Sequence, residues 1–420
     1  MGICCIRGAL RLPVVGVALV LALSPAFAVA QPAAGDYTQW RGPQRDGSSA
    51  VFDAPEVWPE ALTRAWQVEV GTGYATPLLV GARLYTLARQ GAEEAMIALD
   101  AATGTTIWRT AYPAPYQTKA GTQAHGDGPK STPLFHDGRL FTLGISGIVS
   151  AFDASDGALL WQKPAPAVDP MFGTAMSPIA DGDLVFFHVG GHDQGALTAF
   201  DATTGAVRWA WPGDGPSYGS PMLVDLDGVR QLVTVTQQNV VGLDPATGAL
   251  LWQRPFIALA STNSFTPVIF DGTVIVSAHD AGVVAFKPMY RNGEWAVEDL
   301  WDTTEVEMKL SNPVVVGDTL YGLSHKNSGQ LFALDPRTGE VLWRGNAREA
   351  AHGSFVKAGE LIFLLNDEAR LSVATGAATD GLQILETYEV ADSATWAQPT
   401  VSGNRIFVKD DSTITLWTVQ

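Results

Sequence analysis

Side chains able to move a proton cluster locally in one stretch, His125-Gly-Asp127-Gly-Pro-Lys130. An imidazole, a carboxylate and an ammonium at that spacing could exchange protons with a bound substrate. Glycine and proline between them describe an ordinary loop equally well, and no orienting partner is visible. His192-Asp193 is open to the same two readings. No residue is assigned as catalytic from the sequence, and no metal site is expected.

The elements that must position these groups are written in a repeat. Asp100…Gly104…Trp108 recurs as Asp153…Gly157…Trp161, Asp201…Gly205…Trp209, Asp244…Gly248…Trp252 and Asp335…Gly339…Trp343, always with four residues from Asp to Gly and four more to Trp. A period in the forties is that of a propeller or solenoid. Ahead of each phrase stands a small polar residue followed by proline and an apolar run, at Pro77, Pro133, Pro178, Pro221, Pro267, Pro313 and Pro399. The gaps are 56, 45, 43, 46, 46 and 86 residues, so the last is a doubled period, with Ser354-Phe355 at the hidden marker. That makes eight units. Each reads as apolar strand, glycine turn, apolar strand, then a third strand, the Asp-x-x-x-Gly turn and a fourth strand carrying Trp. The expected fold is all-β: an eight-bladed β-propeller of four-stranded antiparallel blades.

Two blades depart from the pattern. Blade five replaces the turn with Lys287-Pro-Met-Tyr-Arg-Asn-Gly293, with Trp301 in the tryptophan place. Blade seven has Thr375…Gly381, with Tyr388 as the expected substitute. Blade eight ends after three strands, and residues 62–70, which carry Trp66, are expected to supply the fourth and close the ring. Closure would hide strand edges that otherwise invite aggregation. The tryptophans and the turn Asp and Thr recur in blade after blade, so they answer a need of the repeated geometry: packing between neighbours.

Residues 1–30 read as a secretory signal peptide, with Arg7 and Arg11 ahead of the apolar run 12–23 and small-x-small sites ending at Ala28 and Ala30. Residues 31–61 form an arm rich in Pro, Gly and polar residues, and 62–420 the propeller. Cys4 and Cys5 both precede the cleavage sites. The expected product is therefore a periplasmic or secreted monomer with no disulfide, lipid anchor or membrane span. The whole chain carries 43 acidic and 26 basic residues, net −17. That charge argues against nucleic acid and anionic lipid as partners.

Singular residues are better candidates for function than repeated ones. First strands line a propeller's channel, and ligands bind at its mouth. The positions three before each proline are Tyr74, Lys130, Ala175, Tyr218, Ser264, Leu310, His352 and Trp396. Their variety suits a flat polar or anionic ligand held by stacking and hydrogen bonds. A solvated rim is the alternative. The candidate ligand-binding set is Tyr74, His125, Asp127, Lys130, Tyr218, His352 and Trp396.

The repeat phrase resembles the pyrroloquinoline-quinone (PQQ) repeat, shared by quinoprotein alcohol dehydrogenases and the assembly factor of the outer-membrane protein insertion machinery. Gln39-Trp-Arg-Gly-Pro43 with Asp46-Gly47 is similar to exported PQQ-like repeat proteins. The dehydrogenase branch implies PQQ, a calcium ion held by carboxylate and Asn side chains, and an Asp base. No such set maps onto this chain, nor does a Cys-x-x-Cys-His for haem. The expectation is therefore a non-catalytic scaffold without cofactor, binding an envelope protein or a small ligand at the channel mouth. PQQ-dependent oxidation of alcohols or sugars with calcium is one alternative, and polymer or carbohydrate binding is another. The assembly factor is normally lipid-anchored, and no anchor cysteine follows the apolar run.

Overall fold

The computed structural model describes residues 33–119 and 121–419, with Met1 and Gly2. Most of the stretch read as a signal peptide, including both cysteines, lies outside the described residues. Strands assemble into eight four-stranded sheets, and the only helical pieces among the described residues are short 3-10 turns. In chain order the blades run 78–113, 134–163, 179–211, 222–255, 268–303, 314–347 and 353–389, and the eighth joins 400–418 to Thr63–Glu69. The closing strand pairs antiparallel with Thr413–Thr418, Val68 opposite Ile414 and Trp66 opposite Leu416. The eightfold count and the closure by the N-terminal strand both stand.

The core lies between blades. One cluster joins blades four to six through Val233, Val276, Phe286 and Phe332, and another welds blade eight to blade one through Phe407, Leu416, Leu84 and Leu99. Each blade is too thin to bury its faces alone, so stability comes from stacking neighbours.

The repeat phrase explains the outer seam. In blade one Asp100 Oδ1 accepts from the amides of Ala102 and Thr103 and from the Thr103 hydroxyl, which ties the turn. The indole of the preceding blade lies on that turn. Trp66, Trp108, Trp161, Trp209 and Trp301 each donate Nε1–H to the carbonyl one residue past the Asp of the next blade: Ala101, Ala154, Ala202, Pro245 and Pro336. The turn glycine is needed because a Cβ at Gly157 would lie 2.4 Å from the Trp108 ring and its φ is +78°. Beside each of these indoles is a β-bulge. The residue opposite is small in six blades: Ala98, Ala151, Ala199, Gly242, Ala285 and Ala333. Trp301 therefore holds the tryptophan place in blade five. Blade seven differs from expectation. Glu386, opposite Val373 beside the bulge, occupies the place, not Tyr388. Tyr388 is two pairs further along, opposite Leu371, buried, with its hydroxyl donating to Pro59 O. Blade five lacks the turn, and Trp252 accordingly donates to Gln231 of its own blade.

The residue before each proline also has a job. The amide of Thr76 donates to Thr132 Oγ1, that of Thr132 to Ser177 Oγ, that of Ser177 to Ser220 Oγ and that of Ser220 to Thr266 Oγ1. This relay runs around the channel from blade to blade and requires a small hydroxyl at each step.

The arm fills the channel beneath that relay. Tyr37 pairs with Leu79, Thr38 O accepts from Phe135, and Ser49 pairs with Lys357. Arg45 donates from Nη1 to Pro178 O at 2.8 Å and from Nη2 to Ser177 O, while Arg41 Nη2 reaches Pro313 O at 2.6 Å. Both guanidiniums are buried and held mainly by backbone carbonyls, although Arg45 Nε finds no partner. Burial brings Arg45 down to about 9 and Arg41 to about 10, the latter against the pull of Asp46.

Candidate functional site

The first strands converge on a cavity of about 450 Å³ at the channel mouth. All eight residues three before the marker line it: Tyr74, Lys130, Ala175, Tyr218, Ser264, Leu310, His352 and Trp396. Trp40 of the arm reaches its lining and is pinned by Nε1–H to Thr266 Oγ1 at 3.1 Å. One wall is aromatic. His352 stacks on Trp396 at 5.0 Å, and His125 meets the same indole edge-on at 4.3 Å, with Tyr74 beyond at 6.5 Å. Across the mouth, Phe172 and Tyr218 pack at 5.9 Å.

Of the sequence candidates, Tyr74, His125, Lys130, Tyr218, His352 and Trp396 come together. Asp127 does not. Its carboxylate turns to Arg89 Nε at 3.0 Å, where it pins the loop carrying His125, and it is absent from the cavity lining. The proton-transfer reading of His125, Asp127 and Lys130 loses its carboxylate for this reason. His192 also stands outside the lining, 3.5 Å from the Tyr218 hydroxyl.

The electrostatics are lopsided. Lys130, Lys309, His125, His279 and His352 line the cavity, and among the described residues no Asp or Glu does, in a chain with an excess of acids. Burial lowers Lys130 to about 8, and its Nζ donates to Phe172 O at 3.0 Å. Burial also takes His352 down to about 4, against the opposing charge of Asp367, so its ring is neutral and bonded to Ser311 and Ser354. Burial, then Lys130 and Lys309, lower His125. Tyr74 and Tyr218 are pushed up to about 12, chiefly by burial, and remain neutral donors. Aromatic faces, hydroxyls and cationic groups together can hold an anionic or carbonyl-rich group. Calcium does not fit this mouth: it takes several oxygen ligands, usually with carboxylates among them, and the lining offers none. No step through PQQ and calcium is derived.

The sequence reading missed three features. Trp40 comes from outside the repeat, so no period points to it. Phe172 and Leu259 are carried by irregular segments ahead of blades three and five. The third is a cluster at the mouth's edge. His279 of the lining, Glu307 and His325 bring one ligand atom each to within 4.8 Å of one another. Burial, with His279 and Lys309, lowers His325 against the pull of Glu307. A signal existed: His279 and His325 are 46 residues apart, one repeat period, so they occupy matching places just past the second strands of adjacent blades.

Apolar side chains ring part of the mouth. Leu259 and Leu310 are both exposed and part of its lining; Met171, next to the lining Phe172, and Ile257, two residues before Leu259, are also exposed. Among the described residues, no helix is long and apolar enough to cross a membrane.

Comparison with known proteins follows this architecture. The family model described as outer membrane protein assembly factor BamB matches residues 50–229, 92–345 and 327–420. The outer membrane protein assembly factor BamB of Shewanella oneidensis is 24% identical over 329 residues, covering 75% of this chain and 68% of that protein. Among solved structures, BamB from Moraxella catarrhalis has a TM-score of 0.61 at 18% identity, covering 86% of this chain and 98% of that one. Quinohemoprotein alcohol dehydrogenase from Comamonas testosteroni has a TM-score of 0.64 at 13% identity, covering 91% and 80%. The structural likenesses establish the fold alone, since enzyme and assembly factor score alike. The sequence match extends from the arm to the last blade, and the chain belongs to the family of the outer membrane protein assembly factor BamB.

Proposed function

We propose that this protein is a non-catalytic scaffold of the cell envelope that assists outer-membrane protein assembly, holding a segment of a partner protein at the channel mouth. The observation that carries the role is the family match across residues 50–420, joined by a BamB relative that covers three quarters of the chain. The mouth supports the mode of action. It combines stacking faces, unpaired cationic character and exposed leucines, a mixture suited to a peptide with apolar and acidic side chains. Its lack of carboxylates argues against calcium-assisted quinone chemistry. The N-terminal residues read as an export signal, which supports a periplasmic location for a monomeric chain without cofactor.

The test has two arms. Deleting the gene should lower the amount of folded β-barrel protein in the outer membrane, and the wild-type chain should restore it. A photo-crosslinker at Leu259 should capture a component of the outer-membrane assembly machinery. Unchanged barrel levels would remove the assembly role. Crosslinks to that machinery from the outer strands but never from the mouth would move the interface elsewhere. Titration with PQQ and calcium should leave the melting temperature where it was, and a saturable rise would restore the dehydrogenase reading.

A further inference from the structure

His279 and His325 follow the second strands of blades five and six, Thr273–Ala278 and Thr319–Ser324. Equivalent places in adjacent blades lie side by side at one height in the ring, and the two imidazoles meet edge to face with centroids 4.5 Å apart. Glu307 arrives from the crossing between the blades. It is buried, and its backbone is fixed by its N–H, which donates to Ser324 Oγ, and by its carbonyl, which accepts from His325 N. One carboxylate oxygen faces His325 Nε2 at 2.9 Å. The other His325 nitrogen, Nδ1, is buried without any hydrogen-bond partner. Two imidazoles and a buried carboxylate thus converge at the seam between the two blades.

We propose that His279, Glu307 and His325 bind a divalent transition-metal ion, with Zn2+ as the reference case, stapling blade five to blade six at the edge of the mouth. Two imidazoles and one carboxylate are the donor set of borderline ions such as Zn2+, Ni2+ or Cu2+, and they discriminate against Ca2+ and Mg2+. The ligand atoms lie within 4.8 Å of one another. Around zinc they would close to about 3.3 Å, the edge of a tetrahedron with bonds near 2.0–2.1 Å. Rotation of the half-buried His279 and His325 rings supplies that movement without shifting a strand.

Charge sets the terms of occupancy. Lys326 Nζ stands 4.0 Å from the other Glu307 oxygen and is anchored on Thr304 O. Lys309 lines the cavity. These cations oppose a bare divalent ion, Asp280, 3.8 Å from His279 Nε2, offsets them in part, and an anion in an open coordination position offsets the rest. The site therefore favours a ternary arrangement in which an anionic oxygen, such as a carboxylate, joins three protein ligands. The metal site stands independently of the scaffold role. The carboxylate as fourth ligand rests on the reading of the mouth as a partner site.

The experiment uses the untagged mature chain, stripped with chelator and dialysed. Zn2+ is titrated by calorimetry, and Co2+ is followed by its visible absorption. The expected result is one Zn2+ per chain, a melting temperature raised by Zn2+, and a Co2+ spectrum of low coordination number. His279→Ala should weaken Zn2+ binding by at least about tenfold and abolish the Zn2+-induced rise in melting temperature. His325→Ala should do the same. If it fails to fold, His279→Ala and the Co2+ spectrum decide. Acetate added to the Co2+-loaded wild-type chain should perturb its visible spectrum. Absence of stoichiometric Zn2+ binding, or equal affinity in His279→Ala, would overturn the site and leave a hydrogen-bonded His–Glu pair. Zn2+ binding without any response to acetate would overturn only the anionic fourth ligand.

Discussion

At the outer seam, five tryptophans donate to the same carbonyl of the next blade. At the mouth, eight equivalent positions carry Tyr, Lys, Ala, Tyr, Ser, Leu, His and Trp. Both sets derive from one repeat, yet the first is uniform and the second varied. A seam solves one local problem repeatedly: fit an indole between a bulge and a glycine turn. A mouth surrounds one space, and whatever occupies it meets each blade once. Uniformity therefore marks architecture, and variety at an equivalent place marks a site free to specialise.

That contrast can be broken. The largest effect should come from deleting residues 62–70, which removes the strand paired with Thr413–Thr418 and opens the ring. The expected outcome is an aggregating chain with no cooperative melt, because the edge of Thr413–Thr418 loses its partner and Trp66 no longer seals the seam to blade one. A soluble deletion variant with one sharp transition would mean the ring does not need its closing strand. Next, Trp161→Ala at the seam should cost about 3–5 kcal/mol in urea unfolding, the range for deleting a large buried aromatic. Tyr218→Phe at the mouth should cost about 1 kcal/mol, since it removes only the hydroxyl's long bonds to Phe172 N and His192. Equal losses at the two positions would erase the distinction between seam and mouth.

Acid should separate the regions. His352 at the mouth and His188 in blade three are buried and neutral, with burial lowering both to about 4. Above about 6.5 neither folded nor unfolded chain protonates them. Between 6.5 and 4 only the unfolded chain takes the protons, so stability falls as pH falls, by about 3 kcal/mol for each histidine. The seam Asp residues act in the same direction but in a more acidic window. Hydrogen bonds from Thr103 hold Asp100 below the usual carboxylate range, and those from Thr204 do so for Asp201. Their contribution is fully present above the ordinary Asp range and is lost only as pH falls through the lowered value. His352→Gln should therefore flatten the pH slope between 6.5 and 4 while leaving the more acidic limb intact, read from urea midpoints across pH. A smaller effect concerns Lys130. Its charge should be lost near pH 8, so a flat anion such as trimesate, followed by tryptophan fluorescence, should bind roughly tenfold more weakly at pH 9 than at pH 7. Lys130→Met should bind weakly at both.

Much of this was readable along the chain. The Asp-x-x-x-Gly-x-x-x-Trp phrase, the prolines and the turn glycines set the blade count, because each records a local demand met within a few residues. Gly157 must accept φ of +78° against Trp108, and Thr132 must offer a hydroxyl to its neighbour. The eight mouth positions were legible for the same reason, since a fixed offset from a repeated proline maps to a fixed height in the ring. Tyr388 was misplaced because blade seven lacks the phrase, so the register had no marker and the bulge moved Glu386 into the tryptophan place. Asp127 was misjudged because proximity in a loop says nothing of direction, and Arg89 claims the carboxylate.

The sequence by itself determined the propeller, its closure by the N-terminal strand and which side chains ring the channel. Only the tertiary structure decided what fills that ring. Trp40, Arg41 and Arg45 carry no repeat signal, yet they bond to blades three, five and six across the channel. The absence of carboxylates from the mouth and the meeting of His279, Glu307 and His325 are likewise facts of convergence. Periodicity fixes a residue's height and blade, whereas the direction of a side chain and the partner it finds across a gap depend on packing that no single repeat contains.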